Sequence, residues 1–174
     1  MTRLASNPFE AARIEAHEAL ASTVTRALSK KGYEAVFAPT KEDALAEVLK
    51  LIPEGAVVGV PGTVTIREIG AMEKLAERGC TIRHHWNPRL TPEERMRTLM
   101  DEYCADYFLT SANAVTRDGM IVNIDGNGNR VSAMAWGRNV LIFVIGVNKI
   151  AGSLEEAINR ARTATPPNVL RLNG

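Results

Sequence analysis

The chain is poor in cysteine: Cys80 and Cys104 are its only two, 24 positions apart in 174 residues and without CxxC spacing. Neither a disulfide framework nor a closed zinc or iron–sulfur site can be built from them within this chain. Both read as small buried hydrophobes. Aromatic residues make up 5% of the sequence and its basic residues are scattered among acidic ones, which excludes a nucleic-acid surface. The 21 Lys and Arg against 20 Asp and Glu leave a net charge of +1, so no strongly charged partner surface is available. Long apolar runs are also missing. The longest, Val140 to Val147, falls far below the roughly 20 residues of a membrane span, so no membrane role is expected. The segment Met1-Thr2-Arg3-Leu4-Ala5-Ser6-Asn7-Pro8 has no apolar core of a secretory signal, so a cytoplasmic location is the expectation. Repeats, low-complexity segments and linkers are absent.

What the sequence does contain is the balance of an ordinary globular domain, 45% hydrophobic and 24% charged. One domain over 1–174 is expected, with 1–32 an N-terminal helix packing on it. Helix starts are written as a capping side chain three residues ahead of a carboxylate: Asn7 with Glu10, Thr40 with Asp43, Thr65 with Glu68, Thr91 with Glu94 and Ser153 with Glu156. The first helix is expected to stop at Gly32, the second before Pro53 and the third, carrying Ile66, Ile69, Met72 and Leu75, at Gly79. The fourth carries Met96, Leu99, Met100 and Tyr103, with both methionines read as core; the fifth covers 154–163.

Continuous apolar runs lie between them: Ala35 to Ala38, Ala56 to Val60, Cys80 to Ile82, Asp106 to Thr110 and Val140 to Gly146. Runs without alternation, separated by helices, are the pattern of parallel strands buried on both faces. Ala114 to Asn123 differs, because its Asp118-Gly119 pair between strand formers predicts a tight hairpin. The expected fold is α/β: a three-layer open, mainly parallel sheet with helices on both faces and a β-hairpin insertion.

Three segments carry candidate chemistry. Gly59-Val60-Pro61-Gly62-Thr63-Val64-Thr65 leaves a strand and enters a helix. Its glycines allow close backbone approach, and Gly62, Thr63 and Thr65 form a candidate anion site. It is neither a GxGxxG fingerprint nor a P-loop. The second segment joins Asn113 to Asp118 and to the loop Asp125-Gly126-Asn127-Gly128-Asn129-Arg130. Beyond the carboxyl ends of strands these side chains are placed to line a ligand crevice, with Gly126, Asn127, Asn129 and Arg130 shaping it and Asp118 and Asp125 as acid–base candidates. A calcium loop is excluded, since Arg130 and Trp136 stand where glycine and glutamate are required. The third, Gly146-Val147-Asn148-Lys149, adds Lys149 as a cation, base or amine nucleophile. The histidines look less promising. His84 and His85 are adjacent on a strand end and point to opposite faces, and His17 has Arg13 and Ala21 at the helical ligand positions. No metal site is expected. Trp86 and Trp136 fit either packing or a pocket wall.

Taken in order, Gly59 to Gly70, Asp106 to Thr116, Asp118-Gly119, Val122-Asn123-Ile124-Asp125-Gly126-Asn127-Gly128-Asn129-Arg130-Val131 and Gly146 to Ile150 resemble the lactate-utilisation (LUD) domain family. The resemblance covers nearly the whole chain, and the Asn-x-Asp-Gly-x-Gly-Asn-Arg run is its specific part. It implies a fold related to ribose-5-phosphate isomerase and the CoA-transferases, and a cytoplasmic role in oxidising L-lactate to pyruvate beside an iron–sulfur partner protein. A small anionic metabolite is the expected ligand. The cofactor stays open, because a two-electron oxidation needs an acceptor that two isolated cysteines do not supply. Two other readings stand beside this one: a stand-alone sugar-phosphate isomerase or acyl/CoA transferase using Asp118, Asp125 or Glu68, and a non-catalytic assembly or regulatory subunit. A homodimer is the base-rate expectation.

Overall fold

Alternation along β1 (Val57–Gly59) explains how helices come to lie on both sides of one sheet. Val58 and, just past the strand, Val60 are fully buried in a cluster with Val48 of α2 (Lys41–Leu51), Ile52 at the end of that helix and Leu75 of α4 (Ala71–Glu77). The residue between them, Gly59, faces α5 (Pro92–Tyr103) so closely that an added Cβ would lie 2.3 Å from the Glu102 carbonyl oxygen. Neighbouring strand residues point to opposite faces, so α2 and α4 cover one side and α5 the other. Burying each large aliphatic side chain of this core contributes roughly 1.5–3 kcal/mol.

The structure, a computed structural model, describes residues 7–136 and 139–173. The remaining elements are α1 (Pro8–Lys30), α3 (Val64–Glu68), β2 (Thr81–Arg83), β3 (Tyr107–Thr110), β4 (Ala114–Thr116), β5 (Ile121–Val122), α6 (Asn129–Trp136), β6 (Val140–Phe143), β7 (Ile150–Ala151) and α7 (Leu154–Asn173), with a 3-10 turn at Val147–Lys149. A four-stranded sheet runs β2-β1-β3-β6, all parallel, and a three-stranded sheet runs β5-β4-β7. The expected α/β class with a mainly parallel sheet is therefore observed, and so is the hairpin: β4 and β5 pair antiparallel through a turn in which Gly119 has φ +80°.

The chain forms two compact units. One comprises 40–112 and 123–145 and holds the parallel sheet; the other comprises the chain up to 39, 113–122 and the chain from 146 onward. In the second unit, small residues let elements approach closely. Ala114 of β4, Ala151 of β7 and Ala157 of α7 form its buried cluster with Val122 beside them, and Gly119 sits against the main chain of Ala27 and Leu28 in α1.

Several local expectations are corrected. The run Ala35 to Ala38 forms no strand, and Val36 is exposed, because no neighbouring strand takes up its backbone. The third expected helix is two: α3 caps from Thr63 rather than Thr65, ends at Glu68, and Gly70 at φ +68° turns the chain into α4. Glu68 therefore completes no capping box. The box between Thr91 and Glu94 does form, as do the side-chain caps at Thr40 and Ser153. The Glu10 side chain of the first lies outside the described residues, as does the segment 1–6. Cys80 is buried but Cys104 is exposed. Met96 and Met100 are 60% and 64% exposed, not core, because their face of α5 borders an open cleft. Trp136 is exposed too. No helix among the described residues is long and apolar enough to cross a membrane.

Candidate functional site

In the parallel sheet the chain passes from β1 to β2 on one side of it and then to β3 on the other. The strand order thus reverses at β1, and in open α/β sheets such a reversal opens a ligand crevice outside the carboxyl ends of the strands. The segments that leave β1, β2 and β3 there are 60–63, 84–86 and 111–112.

The first is a tight turn. Gly62 has φ +57° and its N–H donates to the Val60 carbonyl at 2.9 Å. An added Cβ would fall 2.1 Å from Trp86 Nε1, so the indole lies directly on the glycine. On the indole lies Arg67 of α3, its guanidinium carbon 4.6 Å from the ring centroid, a cation–π contact that fixes an exposed cation over this turn. Thr63 is buried, yet its hydroxyl makes no cap hydrogen bond to α3.

The segment after β2 holds titratable groups. His85 is 6% exposed and Glu102, reaching from α5, is 1% exposed. One carboxylate oxygen, Oε1, accepts both the His85 backbone N–H at 2.6 Å and its ring Nδ1 at 2.7 Å. The other, Oε2, is buried without a partner among the described residues. Burial pushes the Glu102 carboxyl above its ordinary range, opposed by the bonds from His85 and by Asn129 of α6, which faces it. The His85 ring meets Trp86 edge-on, centroids 6.3 Å apart. His84 is held below its usual value by burial, then by Arg67 and by His85, so it favours the neutral imidazole. Arg67, His84, His85, Trp86, Glu102 and Asn129 therefore form one contiguous cluster around Gly62.

The residues singled out in the sequence are distributed as follows. Gly62, Thr63, Thr65, Asp125, Gly126, Asn127, Asn129 and Arg130 belong to the unit with the parallel sheet, whereas Asn113, Asp118 and Lys149 belong to the other. Asp125 and Arg130 are brought together as a shielded ion pair at 2.8 Å, with Asp125 Oδ2 also accepting the Val131 N–H at 2.7 Å. These contacts anchor the start of α6, which places Asn129 toward Glu102. Gly126 and Asn127 are exposed in the same loop. In the other unit Asp118 accepts the Thr116 hydroxyl in the hairpin turn, the Asn113 carbonyl accepts the Arg160 guanidinium, and Lys149 ends the 3-10 turn, half-buried. Among the described residues no group of three or more His, Cys, Asp or Glu is placed to hold a metal ion.

Sequence reasoning sets His85 aside as unable to share a metal with His84, and it does not single out Glu102 or Arg67. His85 and Glu102 are 17 residues apart on different elements, a separation no local motif encodes. The available signal was positional: His84-His85-Trp86 directly follows the carboxyl end of a strand. A second feature of the same unit is a cleft of about 760 Å³ between α5 and α6, bordered by Met96, Leu99, Met100, Tyr103 and Asn129.

No curated protein and no solved structure matches the chain. The LUD domain does, over residues 21–174. That match spans most of the chain, and the chain belongs to the LUD domain family.

Proposed function

We propose that this protein serves the oxidation of L-lactate to pyruvate beside a separate iron–sulfur partner protein, and that it binds a small anionic metabolite or cofactor at the rim where β1 and β2 end. The observation that carries this reading is the exposed Arg67 guanidinium held on Trp86 above the Gly62 turn, in a chain of the lactate-utilisation family. A guanidinium offers a planar pair of N–H donors that matches a carboxylate, and L-lactate and pyruvate each carry one. Removing two electrons from the hydroxy acid requires an acceptor, which this reading assigns to the partner.

Binding of L-lactate and of pyruvate to the full chain, measured by calorimetry and by thermal shift, tests the proposal, because a ligand selective for the native state raises its stability by mass action. Arg67→Ala is expected to weaken both by about 1.5–3 kcal/mol, the range of a charge-assisted hydrogen bond. A response to sugar phosphates or CoA in place of the two carboxylates would instead favour an isomerase or transferase. Silence toward all of them would favour a subunit without a ligand of its own.

A further inference from the structure

We infer that His85 exchanges a proton through Nε2 with the 2-oxygen of a bound 2-hydroxy or 2-keto carboxylate, and that Glu102 is the residue that positions it. This rests on the reading of the rim as a carboxylate site. A carboxylate 1% exposed is costly unless its charge is compensated and its lone pairs are used. Glu102 directs one oxygen at both the main chain and the ring of His85, while the other is buried and has Asn129 of α6 near the carboxylate. Such an arrangement serves the imidazole better than it serves the carboxylate. It fixes the peptide and ring orientation of His85, directs Nδ1 toward Glu102, and leaves Nε2 for a ligand. The second ring nitrogen has no protein partner among the described residues. Orientation of a reactive imidazole by a carboxylate on its far nitrogen is a general device of proton transfer.

Placement agrees with this role. The ring stands edge-on to Trp86, which in turn carries Arg67 and covers Gly62. Arg67 and the imidazole both contact the same indole, so the pose this inference requires is a small carboxylate bound to Arg67 and reaching along Trp86 to the His85 ring. Asn129 from α6 faces Glu102, and His84, itself next to Arg67 of α3, stands beside His85. Gly59, on the strand facing α5, contributes no side chain. In the oxidative direction the 2-hydroxyl O–H bond breaks and its proton passes to Nε2. The C2–H bond would break with its electron pair leaving as hydride to an acceptor of the flavin or nicotinamide class brought from outside this chain, from which an iron–sulfur partner would draw electrons singly, and the C2=O bond would form. The imidazolium so produced is stabilised by the Glu102 carboxylate.

Pyruvate is the probe. Calorimetric titration of the full chain near neutral pH, in two buffers of different ionisation enthalpy, reads the protons taken up per pyruvate bound. Wild type is expected to take up a fraction of a proton, held on Nε2 and hydrogen-bonded to the keto oxygen, and His85→Gln to lose that uptake and bind about ten- to a hundredfold more weakly. Glu102→Gln should displace the pH profile of uptake, which a purely structural role would not do. Undiminished uptake in His85→Gln, with wild type and Arg67→Ala behaving as the carboxylate reading expects, overturns this inference alone. Absence of pyruvate binding in wild type overturns the carboxylate reading and this inference with it. If the variants fail to fold, imidazole nitrogen resonances of wild type decide: the Nε2 signal of His85 should move on adding pyruvate, and a static signal refutes the assignment.

Discussion

Glu102 and His84 are perturbed in opposite senses, and the two perturbations predict opposite effects of pH on stability. The Glu102 carboxyl is raised, chiefly by burial, so the folded state holds its proton more tightly than the unfolded one. Its contribution to stability is complete below the ordinary glutamate value of about 4.3 and is lost as pH rises through the raised value. His84 is lowered, chiefly by burial. Its contribution is present above the ordinary histidine value of about 6.5 and is lost as pH falls toward the lowered one. Denaturation series across this range should therefore show Glu102→Gln losing less stability than wild type on the alkaline side, and His84→Asn losing less on the acid side. Curves parallel to wild type would refute both assignments. Glycine gives a sharper prediction. At Gly59 a methyl group would overlap a helix carbonyl at 2.3 Å, backbone against backbone, and neither strand nor helix can yield without breaking the sheet. Gly59→Ala is expected to destabilise by about 1–3 kcal/mol, read as a lower denaturation midpoint at unchanged slope.

At the scale of elements, capping and packing act separately. The box at the start of α5 is complete, with the Glu94 N–H donating to the Thr91 hydroxyl at 3.2 Å and the Thr91 N–H to the Glu94 carboxylate at 2.8 Å. Thr91→Ala should cost about 1 kcal/mol in thermal unfolding. The stripe of Met96 and Met100 on the same helix shows the limit of periodicity. Helical spacing states which residues share a face but not what that face meets, and here it meets a cleft open to solvent. Met100→Lys is accordingly expected to shift stability by less than about 0.5 kcal/mol; a loss of several kcal/mol would place Met100 in the core after all. The division of the expected third helix into α3 and α4 has a comparable origin. Gly70 is compatible with a helix or with φ +68°, and the contacts of Ile66 and Leu75 with one core decide for the turn.

Over the whole molecule, each compact unit is assembled from segments far apart in the chain, and its core reflects the residues available. The alanines of β4, β7 and α7 allow a close helix-to-strand approach that a larger side chain would block. Ala157→Leu should therefore cost about 1–3 kcal/mol by overpacking, measured by chemical denaturation. Much was determined by the sequence alone: helix starts at Thr40, Thr91 and Ser153, the parallel strands at Val57, Thr81, Tyr107 and Val140, of which β2 and β6 are less buried than continuous apolarity predicts, the Asp118-Gly119 hairpin and the polar loop from Asp125 to Arg130. These follow from contacts within a few residues, or from a periodicity one strand or helix displays by itself. Only the tertiary structure decided that Asp125 and Arg130 neutralise each other, that α5 turns its methionines outward, and that Glu102 meets His85 beside Trp86 and Gly62. Local propensity acts over one turn or one strand, whereas a pair 17 residues apart exists only after a sheet has brought two elements together.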